Sequence, residues 1–274
     1  IWQRRACSPS FSSTSAARND MTEKIAVVTG GLSGIGLESA KALVEMDHKV
    51  IIGSRRCEGP EADVAKKILG QDAHFFQLDV GNKLSIKQFI KNVKEKVGTP
   101  RILINAAGIY KESLITDAGT DHWYDQLDVN LTGPFLMIRE LMPEMIKQEF
   151  GRIVNIASTA GKVGASGYAG YCASKAGLIA LSKVTALEGA AHNISCISIS
   201  PTWVETPMMD NAAIRHSKQD NTNPEKAKEK LKETNPQNRL VQPSEIASVV
   251  AFACGETCPA LTNEDIQINA GALW

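Results

Sequence analysis

The chain has 274 residues, 43% hydrophobic and 22% charged, which is enough apolar material for one large core and fits a soluble globular fold. Thirty basic residues balance thirty acidic ones, so no global field draws the chain to nucleic acid or to an anionic membrane, and no apolar run has membrane-spanning length. The six cysteines, Cys7, Cys57, Cys172, Cys196, Cys254 and Cys258, lack metal-ligand pairing and disulfide density, so a reducing compartment and no metal site are expected.

Residues 1–20 differ from the rest. Arg4, Arg5 and Arg18 stand among Ser, Thr and Ala, with no acid before Asp20, which is the bias of a mitochondrial transit peptide. Met21 is an alternative start, so the segment also reads as extraneous or disordered. The first reading places the protein in the mitochondrial matrix, the second in the cytoplasm. Either way, residues 21–274 are expected to form a single domain.

From Ile25 onward, short apolar runs alternate with helical stretches: IAVVTG, LESAKALVEM, KVIIGSR, EADVAKKIL, HFFQLDV, SIKQFIKNVKEKV and RILINAAG. Strands that are apolar on both faces and separated by helices predict an α/β fold, a doubly wound parallel sheet of Rossmann type. The pattern continues through one long helix around Asp121–Phe150, the strand GRIVNIAS, a helix from about Tyr168 to Ala191 and the strand NISCISIS. Residues 208–238 break it, being polar, Lys-rich and interrupted by Pro224 and Pro236. They read either as a solvated surface insertion or as a lid over a substrate, because ligands of open α/β sheets bind beyond strand C-termini.

The first strand runs into Thr29-Gly30-Gly31-Leu32-Ser33-Gly34-Ile35-Gly36 and then a helix. Glycines there permit a tight turn and close approach of a pyrophosphate to backbone amides at a helix N-terminus. At the end of the second strand, where an NAD site carries an acid for the ribose, Ser54 is followed by Arg55. A guanidinium there suits a 2′-phosphate, so NADP(H) is favoured and NAD(H) remains the alternative. Tyr171 and Lys175 lie four apart, hence on one helix face, with Ser158 thirteen residues ahead of Tyr171. A cation beside a phenol favours the phenolate and makes proton exchange feasible.

Together these motifs resemble the short-chain dehydrogenase/reductase family from about residue 22 to the C-terminus, closest to 3-oxoacyl-carrier-protein reductases and type II polyketide ketoreductases, with hydroxybutyrate dehydrogenases as near neighbours. The resemblance implies that Asn130, Ser158, Tyr171 and Lys175 are catalytic. It implies a cofactor site made by Gly30, Ser33, Gly34, Ile35, Gly36, Arg55, Asp79, Val80, Asn105, Ala106, Gly108, Pro201, Val204 and Thr206, together with Tyr171 and Lys175. Tyr171 would give a proton to the carbonyl oxygen, Ser158 would hold that oxygen, and Lys175 would lower the phenol's pKa and contact the nicotinamide ribose. Asn130 would keep a water that links Lys175 to solvent. Two positions depart from the family pattern: Thr202 follows Pro201 where Gly is usual, and Asn269-Ala270-Gly271 replaces Asp-Gly-Gly. The first puts the nicotinamide pocket in doubt, since Thr takes φ > 0 less readily than Gly.

The expected activity is NADPH-dependent reduction of a 3-oxoacyl or related ketone to a secondary alcohol, in a homo-oligomer, tetramer or dimer. NAD-linked oxidation of a secondary alcohol such as a 3-hydroxy acid is the nearest alternative. A catalytically silent cofactor-binding scaffold is the alternative from another class. Tyr168 has Cys172 rather than Lys four residues on and is expected at the substrate mouth.

Overall fold

The computed structural model describes residues 24–117 and 122–272. The expected targeting segment 1–20 therefore lies outside the described residues, as does Asp121 at the start of the expected long helix. Seven parallel strands form one sheet in the order β3-β2-β1-β4-β5-β6-β7. They are β1 (Ile25–Thr29), β2 (Lys49–Ser54), β3 (Ala73–Gln77), β4 (Ile102–Asn105), β5 (Gly151–Ile156), β6 (Ile194–Pro201) and β7 (Asp265–Ile268). The order reverses between β1 and β4, whose last residues Thr29 and Asn105 are paired, and this opens the crevice in which such sheets bind ligands.

Residues of one strand alternate between two cores, as a period-two strand buried on both faces requires. Ala26 and Val28 face a layer built with α1 (Gly34–Val44), α2 (Pro60–Leu69) and α9 (Pro243–Cys254). Ile25 and Val27 face a layer built with α3 (Lys83–Lys96), α5 (Gly133–Lys147) and α6 (Ala169–Gly189). Hydrophobic burial on both sides fixes the sheet as a rigid platform and leaves its C-terminal edge to carry the loops.

Two elements depart from the sequence expectation. The helix expected around 121–150 is interrupted: α4 (Trp123–Leu127) passes into a π-turn at Asp128–Thr132 before α5 begins. The wider turn turns Asn130 inward, where it is fully buried and its amide bonds the loop after β4. Residues 208–238 are an ordered helical hairpin, α7 (Pro207–Gln219) and α8 (Pro224–Glu233). Pro224, read in the sequence as an interruption, is the first residue of α8, capped by the Asn223 side chain on Lys226 N at 2.8 Å. Met209, Leu231 and Leu240 form a small core beneath the hairpin, against Trp203. Among the described residues, no helix is long and apolar enough to cross a membrane.

Candidate active site

The crevice is built first by backbone. Gly30 has φ +69°, and a Cβ there would come within 2.8 Å of Ala107 Cα, so the loops after β1 and β4 touch only because the residue is Gly. A Cβ on Gly36 would run into the Gly30 carbonyl, which lets α1 start directly against the turn. Thr29 Oγ1 fastens the second loop by accepting from Ala106 N and Ala107 N, both at 3.1 Å. Ser33 occupies the N-cap of α1 without a side-chain bond and the first turn carries no acid, so the helix offers its free N–H groups and positive end to the crevice.

The resulting groove holds about 1120 Å³ of empty space. Its walls bring together eleven of the expected cofactor residues: Gly30, Ser33, Gly34, Ile35 and Gly36 from the first loop, Arg55, Asp79 and Val80 from the next two, Ala106 and Gly108 from the loop after β4, and Thr206. Thr206 closes it from the far side. Tyr171, Lys175, Pro201 and Val204 line a neighbouring cleft instead, and Asn105 lines neither. Its side chain lies inside the sheet, donating from Nδ2 to Asn155 Oδ1 at 2.8 Å across β4 and β5, and it forms no part of the groove wall. Sequence reasoning passed over Glu61, Ile109 and Val129, which also line the groove. A cradle of glycines, a bare helix N-terminus and a basic residue at the ribose end fit a dinucleotide.

A second cleft of about 920 Å³ contains Ser158, Tyr171, Lys175, Pro201 and Val204, and it shares Ile35, Ala106, Gly108, Thr206 and Met208 with the groove. Ser158 sits on the sheet edge where β5 ends. Its hydroxyl accepts from Ala160 N at 3.1 Å, capping a 3-10 turn, and Ser158 and Tyr171 line the same cleft. That turn is anchored by Lys162, whose ammonium lies 2.7 Å from Asp265 on β7; Ser198 and Ser200 donate to the same carboxylate.

Tyr171 and Lys175 share one face of α6, with the ammonium 5.8 Å from the phenol ring centre. Lys175 Nζ donates to Ile156 O at 2.8 Å. Burial pushes the Tyr171 phenol up to about 12, and the opposing influence is the hydrogen bond from Ser158. Burial also pushes the Lys175 ammonium down to about 8. Burial is the largest influence on both groups, and Lys175 is not among the influences on the phenol. Asn130 Oδ1 accepts from Ile109 N, and Nδ2 donates to Ile109 O and to Ser174 Oγ. Gly108 lies between Asn130 and Lys175: a Cβ there would sit 3.3 Å from Asn130 Oδ1 and 3.6 Å from Lys175 Nζ.

The departures at the sequence motifs are absorbed locally. Thr202 is not among the residues with positive φ, so it needs no glycine conformation, and its hydroxyl donates to Asn235 Oδ1 at 3.0 Å. Ala270 does adopt φ +49°, held by the turn in which Gly271 N donates to Asn269 Oδ1. Thr206 Oγ1 donates to Val204 O at 3.2 Å and caps α7. The outer wall of the cleft is apolar and aromatic, made by Tyr110, Val163, Tyr168, Trp203, Met208 and Met209. Tyr110 was missed in the sequence, although its ring stands edge-on to both Tyr168 and Tyr171 at 5.1 Å.

A glycine-cradled groove meeting a cleft that holds Ser, Tyr and Lys defines a dinucleotide-dependent oxidoreductase, and comparison with known proteins agrees. The short chain dehydrogenase family profile matches residues 24–217, and the chain belongs to that family. It is 35% identical over 251 residues to the 3-oxoacyl-(acyl-carrier-protein) reductase FabG of Aquifex aeolicus, covering 90% of this chain and 96% of the relative. It is 31% identical to the D-beta-hydroxybutyrate dehydrogenase of Cupriavidus necator, covering 92% and 95%. Among solved structures, a variant of actinorhodin polyketide ketoreductase with NADPH superimposes with a TM-score of 0.85 at 33% identity, covering 91% of this chain and 97% of that one. The protein is an NAD(P)-dependent oxidoreductase of that family.

Proposed function

We propose that this chain reduces the ketone of a neutral, largely apolar substrate to a secondary alcohol, with NADPH as the reductant. The observation that carries this reading is the composition of the cleft around Ser158 and Tyr171. Its outer wall is Tyr110, Val163, Tyr168, Trp203, Met208 and Met209, and Lys175 is the one cation among its lining residues. A free carboxylate would enter that wall without a charged partner, which is costly, whereas an acyl thioester or a cyclic ketone would not. The 3-hydroxy acid reading is disfavoured on the same ground.

The bound dinucleotide supplies the hydride. The chain's own residues do the rest. Ser158 donates to the carbonyl oxygen, Tyr171 gives it a proton as negative charge develops there, and Lys175 restores the phenol from a buried position beside it. Asn130 holds the loop carrying Gly108 against Lys175, the place where a water could reach the ammonium. Thr206, which lines both clefts, fixes the boundary between them and so the approach of the reacting carbons, with Val204 and Pro201 on the substrate side. Arg55 at the ribose end favours the 2′-phosphate. Residues 208–238 serve as a lid over the substrate, with Met208 and Met209 facing it. The exposed apolar side chains on α4, α5 and α6 favour a homo-oligomer.

The test is NADPH oxidation with a panel comprising a 3-oxoacyl thioester, a cyclic diketone, α-tetralone and free acetoacetate. Turnover of any neutral member with acetoacetate inert is the expected result. Turnover of acetoacetate alone, or preferential use of NADH, would contradict it.

A further inference from the structure

One carboxylate outside the cleft gathers groups from two distant parts of the chain. Glu112, on the loop after β4, accepts from Tyr110 Oη at 2.6 Å and from Gln219 Nε2 at 3.2 Å. His216 Nε2 and Arg215 Nε lie 3.4 and 3.7 Å from the same Oε1. Gln219, His216 and Arg215 all belong to the C-terminal half of α7, the helix whose N-terminal residue Met209 lines the substrate cleft. Glu112 is mostly buried, its side chain 15% exposed. Burial alone would raise its carboxyl, but the bonds from Tyr110 and Gln219 and the charges of His216 and Arg215 outweigh that and hold it below the usual range.

Tyr110 carries this contact into the site. It is itself buried, and its ring meets Tyr168 and Tyr171 edge-on at 5.1 Å and Trp203 at 6.2 Å. Trp203 in turn stands against His216 at 6.3 Å, and the Arg215 guanidinium lies 4.9 Å over the Tyr110 ring. The neighbouring Ser113 N donates to Gly167 O at 2.9 Å, so the loop is also tied to the segment that presents Tyr168. Tyr168 and Trp203 thus both stand against Tyr110, whose hydroxyl is held by Glu112.

We propose that Glu112 is a positioning residue that sets substrate size: by docking α7 onto Tyr110 it fixes the aromatic wall at one distance from Tyr171. This rests on the ketone-reductase reading above. A large ketone fills the space to that wall and depends on it, whereas a small one is held at Ser158 and Tyr171 alone.

The experiment compares kcat and KM for α-tetralone and acetone, with NADPH, in the intact enzyme and in Glu112→Ala, Tyr110→Phe and their double variant. Each single variant is expected to lower the ratio of kcat/KM for α-tetralone over acetone by about tenfold, chiefly through KM, with NADPH affinity within about twofold of the parent. The double variant should be no worse than the worse single, because the contact that Tyr110→Phe removes is already lost in Glu112→Ala. Tyr110→Phe keeps the ring and carries the test if Glu112→Ala does not fold. An unchanged ratio in Tyr110→Phe, additive losses in the double variant, or an equal fall for both ketones with a lowered Tm would overturn the proposal. Where the parent reduces neither of these two, the same comparison is made between the largest and smallest neutral ketones of the panel that it does reduce; a parent that oxidises NADPH with no neutral member of that panel removes the ketone-reductase reading, and this inference with it.

Discussion

Lys175 is charged only at a cost, and that cost sets a pH limit on the reaction. Its ammonium is held down to about 8 by burial, while burial holds the Tyr171 phenol up near 12. The phenol therefore stays protonated across the working range, and the group that titrates is Lys175. Ketone reduction should fall as pH rises through about 8, and a rate profile flat to pH 10 would contradict this assignment. The stability effect has the opposite sense. Between about 8 and the ordinary 10.5, the unfolded chain holds more protons at this lysine than the folded one, so its contribution to stability rises with pH. At the other end of the groove, Arg55 is exposed and free to meet a 2′-phosphate, with Glu61 on the same wall. Arg55→Ala should weaken NADPH by roughly tenfold and leave NADH within a factor of about two, measured by calorimetric titration. Equal losses for both cofactors would show that the guanidinium does not read the phosphate.

At the scale of elements, the site depends on places where backbones approach closely. Gly36→Ala would push a methyl into the Gly30 carbonyl and separate α1 from the turn. It should lower stability by roughly 1–3 kcal/mol and abolish tight cofactor binding, read by thermal unfolding with and without NADPH. The π-turn makes a similar demand. Asn130→Ala would strip three hydrogen bonds from buried partners, the Ile109 amide and carbonyl and the Ser174 hydroxyl, at a cost of at least about 2 kcal/mol. Legibility in the sequence follows the range of each feature. The strands were readable because each is a fully apolar run between turn residues. Tyr171 and Lys175 were readable because a helix turns a spacing of four into a neighbour relation. The π-turn was not, since one extra residue in a turn barely disturbs the apolar rhythm from Trp123 to Lys147. Pro224 looked like a break, although Asn-Pro is also a helix start. Glu112 and α7 meet across about a hundred positions, a distance no local pattern encodes.

For the whole molecule, the doubly wound sheet supplies a stiff frame whose two cores leave apolar side chains over on the outer helices. Tyr124 is 72% exposed, Phe135 44%, Val184 51% and Leu187 70%, on α4, α5 and α6. Side chains of this size on adjoining helices favour burial against another copy. Sedimentation should therefore give a mass two or four times 29.6 kDa, and a monomer at micromolar concentration would contradict the expectation. The same frame explains why the chemistry is confined to one edge. Every group assigned to proton transfer stands at or beyond the C-terminal ends of β4 and β5 or on the face of α6 that meets them. The most direct test of that assignment is Tyr171→Phe, assayed for NADPH oxidation with a ketone the parent reduces and, separately, for NADPH affinity. Loss of turnover by at least about a thousandfold with affinity nearly unchanged is the predicted result. Retained turnover would remove Tyr171 as the proton donor and contradict the account.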